Sequence, residues 1–557
     1  MPRIKEFIKR KILGLKGLVE YQSTEDENRL MLISDDEMIT RSKIQEYLIW
    51  YYGDSDELLN YYTRQNIVDY YYEPFYSRNK RNYFWSISST ENDIKRTHSG
   101  QPRNIVDTLV AICKYPDIRA STTGDDKDIV NKNLNEILKD SHFKEIYKQE
   151  QMPLTLVEGW GCYKINWDQD ITDYPFPVYY RAENVDFIYT AGRIVGVIFK
   201  DYYTDGKMRK YMLAETRYIK REEDGTRVLV IDKELFRVQS STEYISGESF
   251  DRVPELKDVV PHVEIENFDK LFAVPCILFK NTDRAGGPGR SIFTGKIDLF
   301  DDLDQCLSQS SNTVRRSTTM EYFNTDFLER DEETGLPKQP KAYDRKYTLY
   351  MGQKNSEGVD NAGSPVQVTQ PQVNFEQYSN QAVSILIQII NGIMSPATLG
   401  IDIAKKDNAE AQREKEKVTI FTRNDIIDSE EEILKDLCSQ LLCAYEFMHK
   451  GVITCKKYDI SIKFSEFADD SFENKLEKLG GAYDSEQISD EMYMQRLYGD
   501  SLNRAEYDKE LEWLKEHHTK PRVEGMKGAG GGGMNQPEGP GADVMSAMMG
   551  GEEDDEF

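Results

Sequence analysis

The stretch that decides the fold reads GRSIFTGKIDLFDDLDQCLSQSSNTV and occupies residues 289–314. It follows a break rich in glycine at 282–290, and its spacing predicts a helix over 291–318. Apolar side chains form one stripe along that helix over about four heptads. The stripe comprises Phe293, Ile297, Phe300, Leu303, Leu307 and Val314. It can lie in the core of one chain, or it can pack against equivalent helices arranged around an axis.

A second helix and an excursion are predicted downstream of this stretch. Residues 319–371 lose the helical period and contain four prolines, which predicts a small α/β or β excursion. The next helix is predicted over 372–394, and its apolar run AVSILIQIINGIM is too short to cross a bilayer. A break at 395–408, with one proline and one glycine, ends this pair of helices.

The longest helix is predicted over 409–449, where it would span roughly 60 Å. Its apolar residues on one seven-residue repeat are Ile420, Ile427, Leu434, Leu441 and Met448. A return strand at 458–464 follows, and helices are predicted within 465–518. The tail at 519–557 is rich in glycine and ends in EEDDEF, so we expect it to be disordered.

The N-terminal half changes from helices to strands. Helical spacing recurs at 41–63, 103–115 and 128–147, whereas Val, Ile, Tyr and Phe alternate in short runs across 155–238. That alternation predicts antiparallel β structure, which a further strand at 273–279 closes. The first 40 residues form a basic arm that lacks the apolar core of a secretory signal.

Aromatic residues crowd the segment 68–85, from Tyr70 to Trp85. Such side chains can stack on single-stranded nucleic acid. No basic groove accompanies them, so we expect them to pack in the core. The seven cysteines contain no CxxC pair, which favours reduced thiols.

The charge balance excludes a protein that grips nucleic acid tightly. The formal net charge is −27, whereas strong binding to phosphates requires a concentrated basic face. The sequence contains no HExxH metal pair, no GxSxG elbow and no P-loop. We therefore predict no catalytic residue and no cofactor.

One acidic cluster is the best candidate for metal binding. Asp298, Asp301 and Asp302 fall within DLFDDLD, where they could share a helical face and bind Mg²⁺. The alternative is an acidic strip that faces solvent or an interface beside the apolar stripe. We favour the strip and predict no metal site.

Four stretches together resemble the portal proteins of long-tailed, double-stranded DNA bacteriophages. They lie at 44–62 (IQEYLIWYYGDSDELLNYY), at 82–109 (NYFWSIS, then IKRTHSGQPRNIVDTL), at 289–314, and at 393–417 (IMSPATLGIDIAKKDNAEAQREKEK). The resemblance covers roughly residues 40–518. It depends on the joint order of the four stretches, because none of them is specific alone.

The resemblance implies an α+β fold with the portal architecture. The regions would be an N-terminal basic arm (1–40), a β-rich wing (41–290), a stem helix (291–318), a clip (319–371), a second stem helix (372–394), a tunnel loop (395–408), a long wing helix and return strand (409–464), a helical crown (465–518) and a disordered tail (519–557). Such proteins assemble as a ring, twelve-fold in the capsid, at one vertex.

The implied function is a DNA channel through which the terminase motor packages the genome and through which the genome later leaves. The implied partners are further copies of the chain, double-stranded DNA, the terminase large subunit, the major capsid and scaffold proteins, and the head–tail connector, with no membrane. The virion is the implied location. The stripe residues would then pack the stem and the ring.

A duplex that is driven through a channel must slide, so the wall must hold phosphates weakly. An acidic ring with a few guiding cations meets that requirement. The candidate DNA contacts are Lys405 and Lys406, with Arg315 and Arg316 as weaker candidates. Two other readings stay open: a different virion protein such as a connector or baseplate component, and a metal-dependent nuclease that uses the acidic cluster.

Overall fold

The computed structural model describes residues 18–21, 30–33, 35–68, 83–86, 94–121, 127–222, 225–240, 243–266, 268–282, 287–317, 320–325, 328–338, 346–350, 366–369, 375–401, 416–453, 458–465, 479, 489–498 and 504–517. These residues belong to two compact units, Met1–Phe467 and Ala468–Phe557. The architecture mixes helices with sheets, as expected for an α+β chain.

The strands in chain order are β1 (Leu18–Tyr21), β2 (Leu30–Ile33), β3 (Asp117–Ser121), β4 (Trp160–Asn166), β5 (Phe176–Arg181), β6 (Val185–Thr190), β7 (Arg193–Thr204), β8 (Lys210–Arg221), β9 (Arg227–Val238), β10 (Glu243–Ile245), β11 (His262–Ile265), β12 (Ala273–Ile277), β13 (Met320–Asn324), β14 (Lys346–Tyr350), β15 (Val366–Thr369) and β16 (Asp459–Lys463).

The helices in chain order are α1 (Asp35–Tyr52), α2 (Ser55–Val68), α3 (Gln101–Cys113), α4 (Lys127–Asp140), α5 (Met152–Glu158), α6 (Ile297–Arg316), α7 (Phe375–Ile390), α8 (Lys417–Lys450), α9 (Asp490–Tyr498) and α10 (Arg504–His517). A π-helical segment, Ile146–Gln151, runs directly into α5. Among the described residues no helix is long and apolar enough to cross a membrane.

The β-rich region is antiparallel, but it belongs to two sheets instead of one. The large sheet has the order β1-β2-β10-β9-β8-β7-β6, and β11 also pairs with β9. Strand β12, which the sequence predicted to close the region, pairs instead with β4 in a separate sheet of order β12-β4-β5. Alternation predicts strands but does not state which strands share a ladder.

The large sheet also takes in part of the predicted N-terminal arm. Strand β1 pairs with β2, and β2 pairs with β10. Residues 1–17 of the arm lie outside the described residues, so its basic segment is not located. Two short strands of four residues gave too little alternation for the sequence to indicate them.

A buried network of charges joins the two sheets. The Arg217 guanidinium donates to the Ile165 and Phe272 carbonyls at 3.0 and 2.5 Å and to Glu215 Oε1 at 2.7 Å. Lys164 lies 3.1 Å from the same carboxylate. These cations hold the pKa of Glu215 at about 2 although the group is buried. The Glu215 carboxylate therefore stays ionised at neutral pH.

The long helix α8 carries the centre of the core of the first unit. Its fully buried side chains include Ile426, Leu434, Leu437 and Leu441. The predicted seven-residue stripe coincides with this buried face only in part, because its members Ile420, Ile427 and Met448 are half-buried. A straight α-helix drifts away from a seven-residue repeat, so its buried face follows the 3.6-residue period.

Two long-range features of this core escaped the sequence. Strand β16 pairs with β3, which the sequence did not predict. Arg423 of α8 is buried and donates to the Ile112 carbonyl at 3.2 Å and to the Ser465 carbonyl. The prediction that aromatics at 68–85 pack in the core is confirmed for Tyr83, Phe84 and Trp85, while residues 69–82 lie outside the described residues.

The second unit contributes the helices α9 and α10, which pack on each other through a small apolar cluster. Its buried apolar residues are Tyr493, Met494 and Leu497. Helices predicted within 465–518 are therefore present here. The tail 519–557, which we predicted to be disordered, lies outside the described residues.

Candidate assembly surface and channel wall

Helices α6 and α7 form an antiparallel pair. We use the name arm for this pair together with strands β13–β15. At one end of the pair, the Lys296 ammonium donates to the Gln388 and Asn391 carbonyls at 3.0 and 3.2 Å. Ten residues further along α6, Cys306 Sγ lies 3.6 Å from the Tyr378 carbonyl, near the start of α7. A cation at the carbonyl end of α7 also complements the helix dipole.

The apolar stripe of the first helix is buried in its first half only. Phe293, Ile297, Phe300 and Leu303 are all buried within this chain. In contrast, Leu307 is 37% exposed and Val314 is 49% exposed. The stripe therefore continues beyond the point at which the chain itself covers it. Whether neighbouring copies cover the second half stays a prediction.

Helix α7 is more apolar than it is buried. Within the helix only Ile389 and Ile390, at its C-terminal end, are buried. Phe375 is 59% exposed, and Val383 and Ile387 are each 41% exposed. Water contacts an apolar helix face here, which is unfavourable by roughly 25 cal/mol for each Å² of apolar surface.

Strand β15 at one edge of the arm's sheet is also uncovered. Strand β13 pairs with β14 in parallel and with β15 in the antiparallel sense. All four residues of β15 are exposed, including Val366 and Val368. The described residues of 319–371 form strands β13–β15 and turns, and no α-helix is found among them. A sheet of three short strands with one exposed strand gains stability by packing on another surface.

Two stretches of the arm are free of charge, the second half of α6 before Arg315 and most of α7, a signal that the sequence-based predictions did not use. Residues 305–314 and 377–401 contain no Asp, Glu, Lys or Arg, although charged residues make up 30% of the chain. Their polar residues are Ser, Thr, Asn, Gln and Tyr. Such a surface can pack against copies of itself, because no charge has to be removed from water.

Polar side chains on another face of α6 form hydrogen bonds that connect its buried half to two N-terminal segments. Asp301, Asp304 and Ser308 follow helical spacing and are buried. Asp301 accepts the Phe84 and Trp85 amides at 2.8 and 3.4 Å. Ser308 Oγ accepts the Thr97 amide at 3.0 Å.

Asp304 is the centre of this attachment. Its Oδ2 accepts the Trp85 indole N–H at 3.0 Å and lies 2.8 Å from His98 Nδ1. Its Oδ1 accepts the Ser99 amide at 2.8 Å. The side chain is fully buried, so these contacts replace water for both oxygens. The sequence analysis did not single out Asp304 or His98.

The acidic cluster is therefore not one strip that faces solvent. Burial, together with the neighbouring Asp304 and Asp302, raises the pKa of Asp301 to about 7, although the Phe84 and Trp85 amides oppose this rise. Asp298 is exposed and accepts the Tyr83 hydroxyl, while Asp302 is exposed. Among the described residues no three His, Cys, Asp or Glu side chains could hold a metal ion together. The strip interpretation was wrong for Asp301. This residue shares a helical face with Asp304, three residues later, and that face packs against the N-terminal segments.

The four candidate DNA contacts have different positions. Arg315 and Arg316 lie exposed in the last turn of α6, at the end away from the core. Lys405 and Lys406 lie outside the described residues. The break before them is anchored, because the Ser395 amide donates to Thr419 Oγ1 at 2.8 Å and Thr398 Oγ1 lies 2.7 Å from the same oxygen. The start of the loop is thereby held against the first turn of α8.

Comparisons with known proteins find similar chains among solved structures but not among protein families or curated proteins. No protein-family model matches the chain. No curated protein matches it either. Among solved structures, a chain of the virion of a native gene transfer agent particle is similar, at 10% sequence identity and a TM-score of 0.27, covering 74% of this chain and 88% of that chain. A likeness of this size carries no inference about this chain.

Proposed function

We propose that this chain is a portal protein, which forms the ring-shaped DNA channel at one vertex of a phage capsid. The genome is packaged through the ring by the terminase motor and is later ejected through it. The observation that carries the proposal is the arm, in which the second half of α6 before Arg315 and most of α7 lack charged residues, and apolar side chains of α6, α7 and β15 are exposed in a single copy. The order of the four sequence stretches supports the same assignment.

A ring of identical subunits explains why the arm is uncovered. Each copy offers the same helices to two neighbours, so a surface that is wet in one copy becomes buried when the ring closes. Helix α6 alone has 20 residues and extends for about 30 Å, which gives a long line of contact. The exposed side chains Leu307, Val314 and Val383 are those that neighbours would cover.

The same absence of charge suits a channel wall. Each phosphate that a protein neutralises releases counterions and adds affinity, so a wall of uncharged side chains lets a duplex slide. The net charge of −27 on each copy keeps the rest of the ring from binding DNA along its outside. Lys405, Lys406, Arg315 and Arg316 then act as a small number of guiding cations.

The proposed partners follow from the same geometry. The sheet β13–β15 forms the far end of the arm and is the surface we assign to the terminase large subunit and, after packaging, to the head–tail connector. The major capsid and scaffold proteins contact the remainder of the ring, which we expect to contain twelve copies in the virion. We propose no enzymatic activity, no cofactor and no membrane partner.

The decisive experiment measures assembly. The full chain is purified, its mass is determined under native conditions, and the particles are imaged in negative stain. We expect a closed ring with a central hole wide enough for a duplex. Material that stays single-copy under all conditions, or particles without a central hole, would contradict the proposal. Particles with a closed tip would instead favour a baseplate component, and Mg²⁺-dependent cleavage of DNA would favour a nuclease.

A second experiment tests the guiding cations. Lys405 and Lys406 are both replaced by Ala, and DNA packaging is measured beside the control variant Lys139→Ala, which changes an exposed lysine on α4. We expect rings to form in both variants and packaging or retention of DNA to change only in the double variant. Normal packaging by the double variant would refute the role of these two lysines and leave the ring proposal intact.

A further inference from the structure

One polar pair is buried at the centre of the first unit and is only half bonded. Gln151 ends the π-helical segment, and Glu430 lies on α8; both side chains are fully buried. Gln151 Nε2 donates to Glu430 Oε1 at 2.6 Å. The two remaining oxygens, Gln151 Oε1 and Glu430 Oε2, are buried without a hydrogen-bond partner. Both atoms are acceptors while Glu430 is ionised, so neither can bond to the other in that state.

We propose that Glu430 is held as a neutral carboxylic acid, whose Oε2–H donates to Gln151 Oε1 and closes a two-bond acid–amide pair between α8 and the π-helical segment. One proton gives both unpartnered oxygens a bond, because a protonated carboxyl group adds one O–H donor. An ionised Glu430 would be a buried charge without a cation, which is far less favourable than a neutral, hydrogen-bonded group. Loss of that proton opens the pair and loosens the contact between the two elements.

The surroundings of the pair supply no opposing charge. The titratable groups that face Glu430 from other elements are Cys113 on α3, Tyr147 on the π-helical segment, Tyr163 on β4, Tyr179 on β5 and Cys276 on β12. Burial raises the pKa of each of these groups, to about 12 for Cys113, so all of them are neutral at neutral pH.

The cation on the same helix is also engaged elsewhere. Arg423, two turns before Glu430, donates to the Ile112 and Ser465 carbonyls, and among the described residues no ion pair to Glu430 is found. Burial raises the pKa of Glu430 to about 7. The second bond of the pair is therefore lost within the range of pH that a cell or a virion meets, which makes the contact between α8 and the π-helical segment sensitive to pH.

The sign of the effect follows from linkage. The folded chain keeps a proton on Glu430 that the unfolded chain loses above its ordinary pKa of about 4.5, so stability falls as the pH rises toward 7 and is level above it. Between about pH 5 and about pH 8 this group alone should raise the unfolding equilibrium constant on the order of 50-fold.

The test uses the full chain, labelled with ¹³C at glutamate carboxyl groups, and three variants. Glu430→Gln keeps a cyclic amide–amide pair without a titrating group. Gln151→Met removes both bonds of the pair, the N–H donor and the acceptor of the acid proton, and Glu432→Gln changes an exposed glutamate on the same helix as a control. Infrared spectra report the carbonyl band of a protonated acid, and chemical denaturation reports stability at each pH.

We expect the parent and the Glu432→Gln protein to show a protonated-acid band at neutral pH that disappears with a midpoint near 7. Glu430→Gln should lack the band and lose the 50-fold change, and Gln151→Met should move the midpoint away from 7, because both bonds of the pair are lost. An unchanged band in Glu430→Gln, or an unchanged dependence of its stability on pH, would overturn the proposal. If Glu430→Gln failed to fold, the midpoint in the parent and its shift in Gln151→Met would decide in the same way.

Discussion

The two halves of helix α6 differ in one respect, namely what covers their apolar residues. In the first half, the Phe300 ring contacts Phe293, which lies just before the helix, and Trp50 on α1, with centroids 5.2 and 5.7 Å away. In the second half, Leu307 and Val314 belong to the same stripe but reach solvent. A continuous stripe in the sequence therefore has two different partners, the chain itself and, under our proposal, its neighbours.

The difference separates stability from assembly. Residues in the first half contribute to the free energy of unfolding of one chain, since they lie in its core. Residues in the second half contribute little to it and should act on the ring. The predictions below test this division, in the order of the expected change in the free energy of unfolding.

The largest effect is expected for a phenylalanine in the core. Phe300→Ala should destabilise the chain by about 3–5 kcal/mol, because it leaves a cavity between Trp50 and Phe293. The matched control is Phe375→Ala on α7, which removes the same ring from a position that is 59% exposed and should change stability by less than about 0.5 kcal/mol. Chemical denaturation of both variants measures the contrast. Equal losses would show that the arm is part of the core.

The next effect concerns the polar attachment of α6. Asp304→Ala removes the acceptor of the Trp85 indole and of the Ser99 amide, which leaves buried donors without partners and should cost about 2–4 kcal/mol. Asp302→Ala, at an exposed position two residues earlier, is the control and should be nearly neutral. Thermal unfolding and the fluorescence of Trp85 report the outcome. A neutral Asp304→Ala variant would mean that water replaces the carboxylate.

A smaller effect depends on pH. The pKa of Asp301 is raised to about 7 from 3.8, so the folded chain binds a proton that the unfolded chain releases in this window. Its contribution to stability is complete below about pH 4 and is lost as the pH rises to about 7; the part lost between about pH 5 and about pH 8 is on the order of 2–3 kcal/mol. Asp301→Asn should remove this part of the dependence, measured by denaturation at several pH values. If the free energy of unfolding of Asp301→Asn changed with pH in the same way as that of the parent, the titration of Asp301 would be ruled out.

The smallest change in stability should accompany the largest change in assembly. Leu307→Asp and Val383→Asp place charges on exposed positions of the arm, so each should alter the free energy of unfolding by less than about 0.5 kcal/mol. Both should weaken ring formation, because the charge must leave water when neighbours pack. Ile171→Asp, at a loop position that is 71% exposed, is the control and should assemble normally. Native mass spectrometry measures all three, and intact rings in the arm variants would contradict the assembly surface.

Local periodicity predicted much of the fold. Helices α6, α7 and α8 and the antiparallel strands β6–β9 were expected from apolar spacing, because side chains repeat every 3.6 residues in a helix and every two in a strand. The pairing of β3 with β16 was not predictable, because it joins segments that are more than 300 residues apart and nothing in either segment specifies its partner strand. The separation of β12 from the large sheet escaped for the same reason.

The candidate site was predictable in part. The stripe residues were identified by their spacing, but spacing alone cannot tell a covered stripe from an uncovered one. The chargeless stretches at 305–314 and 377–401 are visible in the sequence and would have indicated the arm. Asp304 could have been found from its i, i+3 relation to Asp301, whereas its partners Trp85 and His98 could not.

The sequence by itself determined the alternation of helices and strands, the acidic balance, and the absence of charge from residues 305–314 and 377–401, since each of these is a property of neighbouring residues. Only the tertiary structure decided that the stripe is covered as far as Leu303 and open from Leu307, that Asp301 and Asp304 are buried acceptors, and that Glu430 meets Gln151. The physical reason is that burial depends on contacts between distant segments. Burial in turn decides whether an apolar side chain, a carboxylate or an amide stabilises the single chain or remains available to bind another surface.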